Sequence, residues 1–244
     1  GGRELLPSVD SFFERRLRNI VEEMAIASGT PVPRVFVMDR EQGINAFAAG
    51  YTPSDAAIAV SKGCMEGLTR DELQGVIAHE FSHILNGDMS LNLHLIGGVY
   101  GLSIIAVVGK AARTPGEDGI LDIWDAVDGI RGLCGLVLII VLGFTVEMIG
   151  YTGLFFCRMI KAGVSRSRER LADAAAVQFT RNPEGLAGAL IKIGRIRGQS
   201  RLKSTCVEQV SHMCFGQGVS SSFFPTHPPL EERITWLLPA FDGK

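Results

Sequence analysis

At 244 residues, with 46% hydrophobic and 20% charged, the chain can close one sizeable core without disulfide staples. A formal charge of −2 with no long basic run sets nucleic acid aside as a partner, and five cysteines without C-x-x-C spacing argue for reduced thiols in a cytoplasmic setting. A mean hydropathy of +0.22 is high for a soluble enzyme of this charge, and the excess comes from two apolar stretches in mid-chain.

The chain opens Gly1-Gly2-Arg3, with no secretory signal pattern, and is expected to be cut from a longer protein. Over residues 8–28, Val9, Phe13, Leu17, Ile20, Val21 and Met24 share one face, which predicts an amphipathic helix. Gly29 suits its C-terminal stop, Pro31 and Pro33 forbid continuation, and Arg34-Val35-Phe36-Val37-Met38 reads as a short strand. Asn45-Ala46-Phe47-Ala48 and Ala56-Ala57-Ile58-Ala59-Val60 flank the turn formers of Gly50-Tyr51-Thr52-Pro53-Ser54-Asp55, so a small sheet is expected here.

Thr69-Arg70-Asp71-Glu72 is a capping box that starts a helix near Arg70. That helix carries His79-Glu80-Phe81-Ser82-His83, an H-E-x-x-H motif. Residues four apart lie on one helix face, so both imidazoles can aim a nitrogen at one point, and the adjacent Glu80 can take a proton from a water there. The chemistry indicated is zinc-dependent hydrolysis, against the plainer alternative of two exposed histidines on a surface helix. Leu73, Val76, Ile77, Phe81, Ile84 and Leu85 predict a largely buried helix, interrupted near Asn86-Gly87-Asp88.

Residues 93–109 carry no charge and residues 132–157 only Glu147. Each can cross a hydrocarbon layer, which takes roughly 17 to 25 residues of helix; the alternative is a pair of buried core helices. The connection is acidic, and Arg158, Lys161, Arg166, Arg168 and Arg170 follow the second stretch, so the positive-inside rule puts the motif's side in the cytoplasm. The organisation expected is a first part of a catalytic domain at 1–92, a transmembrane hairpin at 93–157 with an acidic loop at 110–131, and a second part at 158–244.

The returning segment, Ser165-Arg166-Ser167-Arg168-Glu169 and on to Val177, is alanine-rich and predicted helical. Glu169 is the candidate third ligand, because two histidines and a carboxylate are a standard catalytic zinc set. From the residues alone, an ordinary surface carboxylate among arginines fits Glu169 equally well. Asp173, one turn on, is placed to accept from the outer nitrogen of a ligand histidine. Asn182-Pro183-Glu184 starts a helix running to about Arg197, residues 198–222 read as loop, and the rigid turn around Thr226-His227-Pro228-Pro229 holds His227 for either packing or chemistry.

In chain order these pieces resemble the M48 family of zinc metallopeptidases, most closely its HtpX-like membrane branch. The likeness rests on Asn45-Ala46-Phe47-Ala48, Asp71-Glu72-Leu73 leading to the H-E-x-x-H, Asn86-Gly87-Asp88, Ser165 to Asp173, and Thr226-His227-Pro228-Pro229 to Arg233-Ile234. It implies an α+β fold, a mostly helical zincin-like (gluzincin) domain with a small β-sheet, interrupted by a two-helix hydrophobic transmembrane hairpin. It also implies one Zn2+ per chain on His79, His83 and Glu169, Glu80 as general base and acid, and Asp173 orienting His79. Asn45 and Ala46 would lie on the sheet edge that binds the peptide as an added strand, and His227 would line the cleft and donate to the developing oxyanion. The implied enzyme is a multi-pass inner-membrane endopeptidase facing the cytoplasm, with unfolded or membrane polypeptides as substrates and a quality-control role. Rival readings are a prenyl-protein-type processing protease of the same family and a non-proteolytic zinc-binding membrane scaffold. That branch usually carries membrane helices ahead of the catalytic domain; none precedes residue 8 here, in keeping with a fragment.

Overall fold

In the computed structural model of this chain, residues 2–6, 11–113, 129–195 and 228–239 are described. The chain divides into two compact units, one of residues 1–93 with 162–244 and the other of residues 94–161.

The first unit holds a four-stranded sheet in the order β1-β2-β4-β3, formed by Arg3–Glu4, Arg34–Met38, Ala57–Ser61 and Ala46–Ala49. The β2–β4 pair is parallel and the other two pairs are antiparallel, which puts β3 at an edge of the sheet among the described residues. One face of the sheet buries Val35, Val37, Ala46, Ala48, Ile58 and Val60 in the core. Helix α1, Phe12–Ser28, adds Leu17, Ile20, Val21 and Met24 from its apolar stripe, and stops at Gly29 in the left-handed conformation. The short α2, Lys62–Gly67, follows β4 and is capped by the Ser61 side chain.

Helix α3, Arg70–Leu85, runs through the middle of this core. Its start is fixed as the sequence predicts: the Glu72 N–H donates to Thr69 Oγ1 at 3.3 Å, and the Thr69 N–H donates to Glu72 Oε2 at 2.7 Å. Lys192 of α6 (Pro183–Arg195) pairs with the same Glu72 oxygen at 2.6 Å, tying the cap to a packed neighbour. Leu73, Val76, Ile77, Phe81 and Ile84 are all fully buried, so apolar contact surrounds the helix that bears the motif. Such surroundings hold side chains in single rotamers, as a site of fixed geometry requires.

Helix α4 is Asp88–Arg113, and only Asn86 and Gly87 separate it from the end of α3. Gly87 sits at φ 70°, a left-handed conformation that a Cβ would strain. Helix α5 is one element of 52 residues, Gly129–Thr180. The sequence divides it into an apolar stretch and a separate polar helix, but no proline falls between Gly132 and Thr180 and its glycines only weaken a helix, so the backbone continues.

In the second unit α4 and α5 pack through small residues. A methyl group on Gly150 would lie 2.6 Å from the Ala106 nitrogen, and one on Gly109 would meet the Glu147 backbone, so glycine is what lets the helices approach. Ile104, Val107, Leu138, Leu142, Phe144 and Ile149 face outward. Both helices are long and apolar enough to cross a membrane, with mean hydropathies of 1.8 and 2.1. Only 6% and 17% of their most apolar windows are buried, which does not match the alternative of core helices. Most of the acidic connection, residues 114–128, lies outside the described residues. The last helix, α7, is Leu230–Leu237 and returns to the first unit.

Candidate active site

Three elements of the first unit bring chemistry to one place: α3 supplies His79, Glu80 and His83, the polar end of α5 supplies Glu169 and Asp173, and α7 supplies Arg233. All but His83 are almost fully buried, and the His83 side chain keeps 16% exposure. His79 Nε2 and His83 Nε2 lie 3.1 Å apart. The Glu169 carboxylate approaches them at 3.6 Å and 3.9 Å. His79, His83 and Glu169 are the group of side chains that could hold a metal ion among the described residues.

The hydrogen bonds around the rings show what kind of group fits between them. His79 Nδ1 is 2.9 Å from Asp173 Oδ1, and His83 Nδ1 is 2.9 Å from Asp88 Oδ2. An ionised carboxylate only accepts, so each Nδ1 carries the proton and each Nε2 presents a lone pair. Two lone pairs and a carboxylate thus converge on one point, an arrangement that favours a cation at the centre. A tetrahedral zinc site with bonds of about 2.0–2.1 Å has ligand separations of about 3.3 Å, close to those seen. Charge leads the same way: among the described residues Glu169 and Asp173 pair with Arg233 and Asp88 with Arg168, and this concentration of carboxylates favours a cation.

Arg233 is fully buried. Its Nε donates to Asp173 Oδ2 at 2.8 Å and its Nη2 to Asp173 Oδ1 at 2.6 Å, while Nη1 lies 3.2 Å from Glu169 Oε2. One planar guanidinium therefore fixes both the third candidate ligand and the carboxylate behind His79. Arg170, beside Glu169, stacks on Trp236 at 4.3 Å and pins α7 to α5 a second time. Neither Arg233 nor Asp88 is singled out by the motif spacing. The signals that could have found them are Asp88 following His83 across a single glycine turn and an arginine in the otherwise amphipathic last helix.

Burial pushes the Glu80 carboxyl up to about 7, against nearby His83 and the Ala48 backbone N–H, which donates to it. Burial lowers His79 below the ordinary imidazole value despite Asp173. Burial also acts downward on His83, but the Asp88 hydrogen bond and the charges of Glu80 and Glu169 outweigh it, and the net direction is up.

Asn45 and Ala46 sit at the head of edge strand β3, which packs on α3. The Asn45 N–H donates to Ser61 Oγ, Asn45 O accepts from the Ser61 N–H, and the Ala46 N–H is covered by Asn45 Oδ1 at 3.0 Å. Since antiparallel pairing alternates along a strand, the N–H groups of Ala46 and Ala48 point away from β4, and the second reaches Glu80. The edge and the base are thus adjacent. His227 lies outside the described residues.

The model of peptidase family M48 matches residues 13–239. The chain belongs to peptidase family M48. Among curated relatives, this M48 chain is 37% identical over 218 residues to "Protease HtpX homolog" of Ligilactobacillus salivarius (strain UCC118), covering 89% of this chain and 70% of the relative. It is also 37% identical over 225 residues to the protein of that name from Caldanaerobacter subterraneus subsp. tengcongensis, covering 89% and 69%. Among solved structures, that of S. mikatae Ste24p matches with a TM-score of 0.53 at 18% identity, over 97% of this chain. The chain spans about half the length of that protein, 51%, and the likeness is one of fold. Family membership makes the M48 chain a metallopeptidase, a hydrolase of peptide bonds, and His79, His83 and Glu169 form a group compatible with a metal ion.

Proposed function

We propose that this chain is the catalytic part of a membrane-embedded zinc endopeptidase that cuts unfolded or membrane polypeptides on the cytoplasmic side of the inner membrane. The observation that carries this reading is the convergence of His79, His83 and Glu169 beside buried Glu80 in a chain of an established peptidase family. His79, His83 and Glu169 hold one zinc ion per chain, the H-E-x-x-H plus glutamate set of a gluzincin. When bound, zinc polarises the scissile carbonyl and acidifies the attacking water.

The chain's own residues do the rest. Glu80, with its carboxyl raised to about 7, takes the proton of the attacking water and later passes it to the leaving amine. Asp173 fixes the tautomer and ring of His79, with Arg233 holding Asp173 and Glu169 in register. The substrate lies extended along the edge of β3 beside Asn45 and Ala46, added as a strand through its main chain, which suits an enzyme acting on many sequences. His227 donates to the carbonyl oxygen as charge develops on it. Residues 93–157 form the hairpin in the bilayer, and residues 1–92 and 158–244 the catalytic domain. The apolar lengths and the arginines after the second stretch support that placement.

The test is metal content and casein cleavage of the protein purified in detergent. The wild type holds one zinc, loses activity on chelation and regains it with zinc. Glu80→Gln keeps the metal and loses activity by about 100-fold or more, while His79→Ala and Glu169→Ala lose both. Undiminished cleavage by Glu80→Gln, or a wild type that binds no metal, rejects the reading.

A further inference from the structure

The geometry points to Asp88 and Arg168 as a pair of positioning residues that holds His83 for the metal and couples it to Glu169. Asp88 is 3% exposed and lies five residues after His83, just past the Asn86-Gly87 break that ends α3. Its two oxygens are divided: Oδ2 is 2.9 Å from His83 Nδ1, and Oδ1 pairs with Arg168 Nη1 at 2.9 Å. A carboxylate facing Nδ1 fixes the tautomer that offers Nε2 to a metal and sets the plane of the ring. The cation paired with that carboxylate is Arg168, whose side chain keeps 40% exposure.

The consequence lies in where these two residues sit. Arg168 is adjacent to Glu169 in α5, so one stretch of helix supplies a ligand directly and the support of another ligand indirectly. Asp88 is the first residue of α4. Any shift of α5 against the end of α3 therefore moves Glu169 and slackens His83 together, and the site is assembled or lost as a unit. The inference rests on the reading of His83 and Glu169 as metal ligands and adds a function for two residues outside the H-E-x-x-H motif.

The experiment measures metal affinity by chelator competition, together with the visible spectrum of the cobalt(II)-substituted protein, for Asp88→Ala, Asp88→Asn, Arg168→Gln, Arg168→Lys and the Asp88→Asn/Arg168→Gln double variant. Asp88→Ala is expected to weaken zinc by about 10- to 100-fold and alter the cobalt spectrum, since supports of ligand histidines carry effects of that size. Arg168→Gln is expected to weaken zinc several-fold, Arg168→Lys to restore most of the loss, and the double variant to be no worse than Asp88→Asn alone. Thermal unfolding of the metal-free proteins separates positioning from folding: metal-free stability stays near wild type while the stabilisation by zinc shrinks. Wild-type zinc affinity and cobalt spectrum in both Asp88→Ala and Arg168→Gln overturn the inference. So does simple additivity in the double variant, which is readable even if Asp88→Ala does not fold. A wild type that binds no metal overturns the metal-site reading itself, and this inference with it.

Discussion

The two histidines of the motif are supported by the same chemistry in two different environments. Behind His79 stand Asp173 and then Arg233, both almost fully buried, with the arginine gripping both oxygens of its carboxylate. Behind His83 stand Asp88 and then Arg168, whose side chain is 40% exposed and touches one oxygen only. The difference teaches which end of the site is fixed and which can yield. Charges removed from water interact strongly and cannot be replaced by solvent, whereas a pair at the rim can exchange its partner for water at little cost. The His79 side is therefore the frame and the His83 side the adjustable half. Glu169 is tied to both, through its contact with Arg233 on one side and through its place next to Arg168 in α5 on the other.

The strongest way to break the comparison is to remove each arginine. Arg233→Met leaves Asp173 and Glu169 buried without their counter-charge, a loss of about 3–5 kcal/mol. It is expected to abolish zinc retention and to lower the unfolding temperature of the metal-free protein in detergent. Arg168→Met should cost less than about 1 kcal/mol in the same measurement. Equal losses would show that the two supports are not different in kind. A smaller effect comes from the carboxylates themselves. Asp173→Asn should weaken zinc more than Asp88→Asn does, because the first disturbs a bidentate arginine contact and the second a single one; chelator competition on the two variants decides it.

Much of this frame was legible in the sequence, for reasons that are local. The capping box at Thr69, the i,i+4 spacing of His79 and His83, the left-handed stop at Gly29 and the apolar mid-chain stretches all act within one element, and the structure carries each of them. Glu169 was ambiguous on spacing alone, because what separates a ligand from a surface carboxylate is the burial that α3 and α7 impose on it. Arg233 and Arg168 went unassigned as site residues for the same reason: they act across 60 and 80 residues of chain, respectively, and no periodicity encodes that. The unbroken length of α5 is not legible in the pattern, because a change from apolar to polar residues looks like a boundary, although the backbone of a helix responds to proline and not to polarity.

Acidity sharpens the comparison at intermediate cost. In the metal-free protein His83 is raised and His79 lowered relative to the ordinary imidazole value of about 6.5. For His83 the sign is that of a group favouring its proton in the fold: its contribution to stability is full below the unfolded value and is lost as pH rises through the folded one. For His79 it is reversed, with a contribution present above the unfolded value and lost as pH falls through the folded one. Of the two imidazoles, His83 therefore takes up its proton first as pH falls. Nitrogen-15 shifts of the two imidazoles in metal-free protein, followed from pH 8 to pH 5, should show His83 titrating above about 6.5 and His79 below it. The reverse order would mean that burial, not the carboxylate partner, governs the rim histidine.

The smallest effect expected is one of ionic strength, and it bears on the comparison most directly because each variant changes one residue and the salt changes none. Added salt shortens the range of exposed electrostatics from about 10 Å at 0.1 M to about 3 Å at 1 M, and acts far less on buried pairs. Arg168 meets solvent and Arg233 does not. Raising salt over that range should therefore shrink the difference in zinc affinity between wild type and Arg168→Gln, by a factor of about five at most if the pair contributes up to about 1 kcal/mol. The difference between wild type and Asp173→Asn should stay as it was, because that carboxylate and its arginine are shielded by protein. If both differences shrink together, solvent reaches the inner support as freely as the outer one, and the division of the site into a fixed and a yielding half does not hold.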